Sequence, residues 1–344
     1  MAKRSFIATA YAIIITLTCG CSTSQSEYQK IQNVPMLGTT LNIIADIPAD
    51  SLSALLDGVM QIDSVMKSQM SIFDPNSIIS QINRGECDSL THDMIYNINL
   101  ADSVSKLSGG VYDITVMPLV EAWGFARKEA LEQPNIDSLL EFVGYEKISI
   151  VGGRLQKQDP RIRLDFNSIA KGYTVDKVAQ KVAQMGAENY LVDIGGEINS
   201  RGVNSHGEGW RIGVESPIDG NMSDGEYLQR AIQIPPQSTM RAMATSGNYR
   251  RFYISHDGEK ICHTIDPTSG HSRVSTLLSA TVIAPTCALA DAYATMFMAA
   301  GSNGAMELAK SIEGIEVYFI FSGDEGDAEY REYMSPTMEA MIQK

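Results

Sequence analysis

One carboxylate is conspicuous for its surroundings. Between Ala284 and Asn303 (APTCALADAYATMFMAAGSN) Asp291 is the only charged residue, and the rest of the stretch predicts a helix buried nearly all round. A buried carboxylate is costly unless it is paired, hydrogen-bonded or metal-bound, so Asp291 needs a partner. Thr295 lies four residues on and shares its helix face. A carboxylate and a hydroxyl one turn apart make a hard-oxygen half-site suited to Mg²⁺. The spacing equally allows Asp291 to be bonded to a Lys, an Arg or a backbone NH elsewhere.

Two further groups could act beside it. In Arg163-Leu-Asp-Phe-Asn-Ser-Ile-Ala-Lys-Gly-Tyr173 a helix is expected to start at Asn167 or Ser168 as cap. Lys171 then sits in the first turn, where the helix dipole disfavours a cation unless an anion such as phosphate is bound there. The alternative is a lysine that reaches solvent or pairs with Asp165 or Asp176. In Cys262-His-Thr-Ile-Asp-Pro-Thr-Ser-Gly270 the Asp266-Pro267 tail signals a turn. His263 just before it is suited to accept a proton near neutral pH, or merely to satisfy local hydrogen bonds.

The elements that must position these groups follow from periodicity. Thr39 to Ile47 reads as a strand, and Leu52, Leu55, Leu56, Val59, Ile62, Val65 and Met66 recur at helical spacing. A helix is expected from His92 to Leu107, stopped by Gly109-Gly110. Arg161 to Phe166 reads as a strand feeding a helix from about Ile169 to Met185 that Gly186 closes. Asn189 to Ile194 is a strand ending at Gly195-Gly196. Short strands fill Trp210 to Ile254 around a polar insertion, Asp219 to Glu226. Helices are expected at Thr286 to Ala300 and Ala305 to Ile312, then a strand from Ile315 to Phe321. Cys87, Cys262 and Cys287 show no CxxC spacing, so neither a disulfide framework nor a zinc site is expected, and the last two read as buried fillers.

The 344 residues are 44% hydrophobic and 20% charged, and 27 Lys+Arg against 41 Asp+Glu give a net charge of −14. That is the composition of a globular chain with a large core, and its acidity argues against nucleic acid as a partner. At the N-terminus Lys3 and Arg4 precede an apolar run from Phe6 to Leu17, too short to span a bilayer but fit for a signal-peptide core. Leu17-Thr-Cys-Gly-Cys21 resembles a lipobox with Leu one step out of place, in which Cys21 receives the lipid. The expected layout is a lipoprotein signal peptide over residues 1–20, a lipidated tether over 21–35, and one domain over 36–344. A plain cleavable signal with free cysteines is the alternative, and either predicts export.

Taken together the chain resembles the ApbE family of FAD:protein FMN transferases. The likeness is carried by Ser108-Gly-Gly-Val-Tyr-Asp113-Ile-Thr115 to Leu119, Trp123-Gly-Phe125, Leu164-Asp165 with Ile169-Ala-Lys-Gly-Tyr173, and Asp193-Ile-Gly-Gly-Glu-Ile198. It continues through Trp210 to Glu215, Ala244 to Arg250, His263 to Gly270, and Ala284-Pro285-Thr286 with Asp291 and Thr295. Eight ordered motifs cover nearly everything after Gly38.

The resemblance implies an α/β (α+β) fold, a single large domain of mixed sheets and helices, in an exported, membrane-anchored lipoprotein facing the periplasm. It implies Mg²⁺ as cofactor and FAD as substrate, with FMN moved through a phosphoester bond onto a threonine of an acceptor protein, expected among membrane redox subunits, and AMP released. Asp291, Thr295 and Ser168 match the metal ligands, Ser168 through its hydroxyl or its carbonyl. Asp165, Lys171 and Ile265 match flavin-nucleotide contacts, while Val111, Tyr112, Asp113 and Leu37 match parts of the FAD pocket. His263 stands beside the reacting phosphate as proton acceptor, with Asp266 as the alternative base. The chain departs from the family pattern at Leu37 for Met, at Asn167-Ser168 for small residues before Ile169-Ala-Lys-Gly172, at Glu197 for Asp, and at Asn248 for an acid. Hydrolysis of FAD to FMN and AMP, or FAD capture without chemistry, are the rival functions.

Overall fold

The computed structural model describes residues 28–126, 134–218, 227–236, 241–249, 251–323 and 330–342. The expected signal peptide, Cys21 and the 219–226 insertion lie outside them. In chain order the elements are β1 (Gln29–Met36), β2 (Thr39–Ala45), α1 (Leu52–Met70), α2 (Ile78–Arg84), α3 (His92–Ser108), α4 (Met117–Ala122), α5 (Ile136–Leu140), β3 (Ile148–Val151) and β4 (Arg154–Lys157). Then come α6 (Ala170–Gln184), β5 (Tyr190–Ile194), β6 (Glu197–Arg201), β7 (Trp210–Glu215), β8 (Leu228–Ile234), β9 (Arg241–Gly247), β10 (Phe252–Ile254) and β11 (Lys260–Cys262). The last are β12 (Leu277–Ala284), α7 (Cys287–Ser311), β13 (Glu316–Phe321), β14 (Arg331–Met334) and α8 (Pro336–Met341).

Eight strands form the central sheet in the order β1-β2-β5-β6-β9-β12-β13-β14, every neighbouring pair antiparallel. Alternation along the strands divides two cores between its faces. Val282, Ala244, Val317 and Phe319 pack with α3 and α7 on one side, whereas Ile283, Met243, Tyr318 and Ile320 pack with the β7–β8 ribbon and α8 on the other. Helices α6 and α7 lie against each other and against the sheet, and α1 covers α6. Among the described residues no helix is long and apolar enough to cross a membrane.

Three expectations change. β1 occupies the second half of the stretch assigned to a tether; Ile31, Val34 and Met36 pack into the core between the sheet and α6 and draw this segment in. Arg161 to Phe166 is not a strand of any sheet: only a single bridge, Val116 to Arg163, forms there. Its apolar residues Ile162, Leu164 and Phe166 are fully buried, but Asp165 between the last two is buried as well. The Asn83 side chain donates to the Leu164 carbonyl and accepts from its NH, both at 2.8 Å, in place of a neighbouring strand. The third change is at the start of α6, where Ile169 is the N-cap and no side chain caps it.

Candidate active site

α6 and α7 cross at Gly172. A Cβ there would lie 2.3 Å from the Cys287 carbonyl oxygen and 2.8 Å from the Asp291 Cβ, so only glycine permits this approach. The Gly172 NH donates to Asp291 Oδ2 at 2.9 Å. The anion at the uncapped start of α6 is therefore Asp291 itself. The start of α7 is fixed from the same side: Asp176 accepts from the Cys287 and Ala288 NH groups at 2.9 and 3.0 Å, and Thr286 caps Leu289. Burial pushes the Asp291 carboxyl up, while the Lys171 charge and the Gly172 NH pull it down without cancelling the rise.

Lys171 pairs with neither Asp165 nor Asp176. Its ammonium lies 2.5 Å from Glu197, the first residue after the Gly195-Gly196 turn. Both glycines have positive φ, 63° and 99°, the conformation of a two-residue hairpin, and Gly195 leaves room for Thr39. The turn delivers Glu197, 3% exposed, against Lys171. Burial raises the Glu197 carboxyl to about 8, against the pull of Lys171; burial disfavours charge on Lys171, yet Glu197 and Asp291 outweigh it and its pKa is raised. Glu197 and Asp291 thus share the single charge of Lys171.

Ser168 and Tyr112 share a hydrogen bond of 2.9 Å. Thr295 Oγ1 is 3.4 Å from the Ser246 hydroxyl. Asp165 turns the chain into α6 by accepting the Asn167 NH at 2.8 Å, and Asp113 accepts the Thr115 NH at 2.7 Å. Burial pushes the Asp113 carboxyl up to about 6. Tyr112, Asp113, Asp165, Ser168, Ser246 and Thr295, with Val111 and Ile265, line one cavity of about 860 Å³, within the range of small-molecule and cofactor pockets. Its described lining includes the carboxylates Asp113, Asp165, Asp193, Glu197, Glu215 and Asp291 but only the cations Lys171, Arg211 and Arg251.

His263 lines the same cavity. Its Nδ1 is 3.2 Å from the Arg251 carbonyl, which can only accept. The proton is therefore assigned to Nδ1, leaving Nε2 as an acceptor. Burial, then the charges of Arg251 and Lys171, hold its pKa down to about 4, so the ring is neutral at pH 7. Asp266, the alternative base, is corrected. It accepts from the Thr268 NH and hydroxyl and the Ser269 hydroxyl at 2.9, 2.7 and 2.9 Å, and pairs with Arg273. Although burial pushes it up, these donors hold its carboxyl below the usual range. It is a turn-former, absent from the cavity wall.

Leu37, matched by the resemblance to the FAD pocket, packs on the two cores beside the helices and is not among the residues that line this cavity. With φ 49° it and Gly38 form the β1–β2 turn, held by the Leu37 NH donating to Asp63 at 3.0 Å; its neighbours Thr39 and Thr40 reach the cavity instead. Glu197 and Ser246 stand in the recognised motifs, but their roles emerge only when strands far apart in sequence pair.

The profile of the ApbE family matches residues 37–319. The chain belongs to the ApbE family. Among its curated relatives, an FAD:protein FMN transferase of Vibrio cholerae is 33% identical over 345 residues, 96% of this chain and 97% of the relative. One of Escherichia coli K12 is 34% identical over 247 residues, 70% and 67% of the two chains. Among solved structures, the Vibrio cholerae flavin transferase ApbE superposes with a TM-score of 0.77 at 30% identity, covering 92% of this chain and all of that one. The apo Pseudomonas stutzeri flavinyl transferase ApbE gives 0.80 at 27%, covering 94% and 99%. This ApbE member thus shares its α+β architecture, as well as its ordered motifs, with flavin transferases.

Proposed function

We propose that the protein is a Mg²⁺-dependent FAD:protein FMN transferase. The observation that carries this reading is the convergence, on one dinucleotide-sized cavity, of a buried carboxylate from α7, a lysine from the first turn of α6 and a neutral histidine with a free Nε2. FAD enters with a dianionic pyrophosphate. A lining this rich in acidic groups, several of them held above their usual range by burial, favours a further cation, which would both ionise them and offset the pyrophosphate. The residues fit Mg²⁺, which takes oxygen donors and few protein ligands: Asp291, Thr295 and Ser168 would hold it. Among the described residues no three His, Cys, Asp or Glu form an all-protein metal cage, so the remaining coordination is open to phosphate and water. When bound, Mg²⁺ would neutralise the pyrophosphate and stabilise its developing charge.

The protein's own groups carry out the rest. Lys171 contributes a point charge to the pyrophosphate, and Asp165, Tyr112 and Ile265 shape its site. A threonine Oγ of the acceptor attacks the FMN-side phosphorus, and the bond from that phosphorus to the bridging oxygen breaks. His263 Nε2 takes the threonine proton, and AMP leaves with the bridging oxygen. The products are the FMN phosphoester of threonine and AMP. We further propose that the chain is exported and lipid-anchored at Cys21, a reading supported by the charged start, the short apolar core and Gly20-Cys21.

The test is to incubate the purified protein with FAD and Mg²⁺, with and without membranes from host cells lacking the gene, and to measure AMP and in-gel flavin fluorescence. Transfer predicts AMP release that rises with the membranes and a fluorescent polypeptide. AMP and free FMN without any labelled polypeptide would establish hydrolysis, and neither product would leave a binding protein.

A further inference from the structure

The turn that carries His263 and the helix that carries Asp291 come from separate parts of the chain, yet one arginine joins them. The Arg273 Nε donates to the Ala299 carbonyl at 2.8 Å, and its terminal nitrogen pairs with the Asp266 carboxylate. The Arg273 NH donates to the Thr264 carbonyl at 2.8 Å. Asn248 closes the frame, accepting the Thr264 hydroxyl at 2.7 Å and donating to the Arg273 carbonyl at 3.2 Å. An acid at 248, the more usual residue, could not make that donation.

The far end of the strut has a physical reason. α7 breaks at Gly301, with φ 69° and ψ −177°, so its first half ends with carbonyls that have lost their helical donors. A guanidinium there satisfies one and complements the negative end of the helix dipole. Ala299 lies one turn beyond Thr295 and lines the cavity. The positive φ is what calls for glycine at 301; the Arg273 Cδ lies within ordinary contact of the break, 3.4 Å from where a Cβ would sit.

We propose that Arg273 is a positioning residue: as a strut between the Asp266 turn and the break in α7, it sets His263 relative to the metal-binding half of that helix. Asp266 then serves the reaction indirectly, by orienting the guanidinium. The kinetic consequence rests on the transferase reading above; the structural one does not.

Arg273→Met keeps the stem and removes both polar arms. With host membranes as acceptor and Mg²⁺ present, its labelling rate at saturating FAD should fall about 10- to 100-fold, the size expected when a catalytic group is misplaced by about 1 Å. FAD affinity, read from flavin fluorescence, should fall by a much smaller factor. Arg273→Lys, which can reach one partner but not both, should recover part of the rate. Hydrogen exchange should quicken together at 262–273 and at 297–305. Asp266→Asn, which keeps its turn, should shift both readouts in the same direction by less, and serves if Arg273→Met fails to fold. A wild-type rate in Arg273→Met, an equal loss of rate and affinity, or quickened exchange at one end alone would overturn the strut. If the wild-type protein labels nothing, the transferase reading fails separately, and the exchange result alone decides the strut.

Discussion

Gly172→Ala sets two effects of opposite sign against each other. Within an exposed helix the change from glycine to alanine stabilises by roughly 0.5–1 kcal/mol, because glycine loses more backbone freedom on folding. At this position the new methyl carbon meets the Cys287 carbonyl oxygen at 2.3 Å, where 3.4 Å begins ordinary contact, so α6 and α7 must separate by about 1.1 Å. The obstacle is backbone that Asp176 pins at two NH groups, which leaves no side chain to swing aside. Overpacking of this kind costs about 1–3 kcal/mol, and the Gly172–Asp291 hydrogen bond of 2.9 Å is stretched as well. The clash therefore wins, for a net loss of about 1–2 kcal/mol. In a domain of this size, longer than about 250 residues, each kcal/mol lowers Tm by about 1–2 °C. The same displacement moves Asp291 and Thr295 against Ser168 and Lys171, so labelling should fall about 100-fold, far more than the stability loss alone explains. Thermal unfolding and labelling are measured on one preparation. A variant with raised Tm and full labelling would refute the account of how the two helices build the site.

Three other outcomes follow from the geometry. Asp291→Ala should abolish FMN transfer in a folded protein, and excess EDTA should do so reversibly, whereas Thr295→Val should be milder because it removes a neutral ligand; full transfer in EDTA would exclude the metal. His263→Ala should slow transfer by roughly 10²- to 10⁴-fold with FAD binding retained. Because burial holds its pKa down to about 4 where an ordinary histidine lies at 6.5, the His263 imidazole, followed by NMR, should stay neutral down to about pH 5, and a midpoint near 6.5 would contradict a desolvated base. The same shift means that the unfolded chain binds a proton that the folded chain refuses between these two values, so His263 makes stability fall as the pH drops from 6.5 toward 4. Wild-type protein should partition into detergent with diacylglycerol on Cys21, and Cys21→Ser should not; an unlipidated wild-type N-terminus would sink the anchor.

The long helices were readable because their apolar residues recur at helical spacing, as along α1, and because glycines mark their ends, as Gly109 does for α3. The two halves of α7 were legible for the same reason, with Gly301 between them. Arg161 to Phe166 misled because apolar and polar residue types alternate there without a neighbouring strand, the Asn83 side chain taking the hydrogen bonds. Asp291 was legible as a charge lacking a local partner. Its partners were not: Gly172 is brought by a helix crossing, and Lys171 meets Glu197 through a hairpin after β5. Asp266 looked chemical because turn-forming and catalytic aspartates share a sequence signature, and only its four donors distinguish them.

The central claim is a covalent transfer, and the most direct measurement is the mass of the acceptor peptide. Host membranes lacking the gene are incubated with the protein, FAD and Mg²⁺, and the fluorescent polypeptide is digested and fragmented in a mass spectrometer. The account predicts one peptide heavier by an FMN phosphoryl group, with fragments placing it on a threonine oxygen, and an equal amount of AMP in solution. Free FMN matching AMP, with every threonine peptide at its unmodified mass, would contradict it.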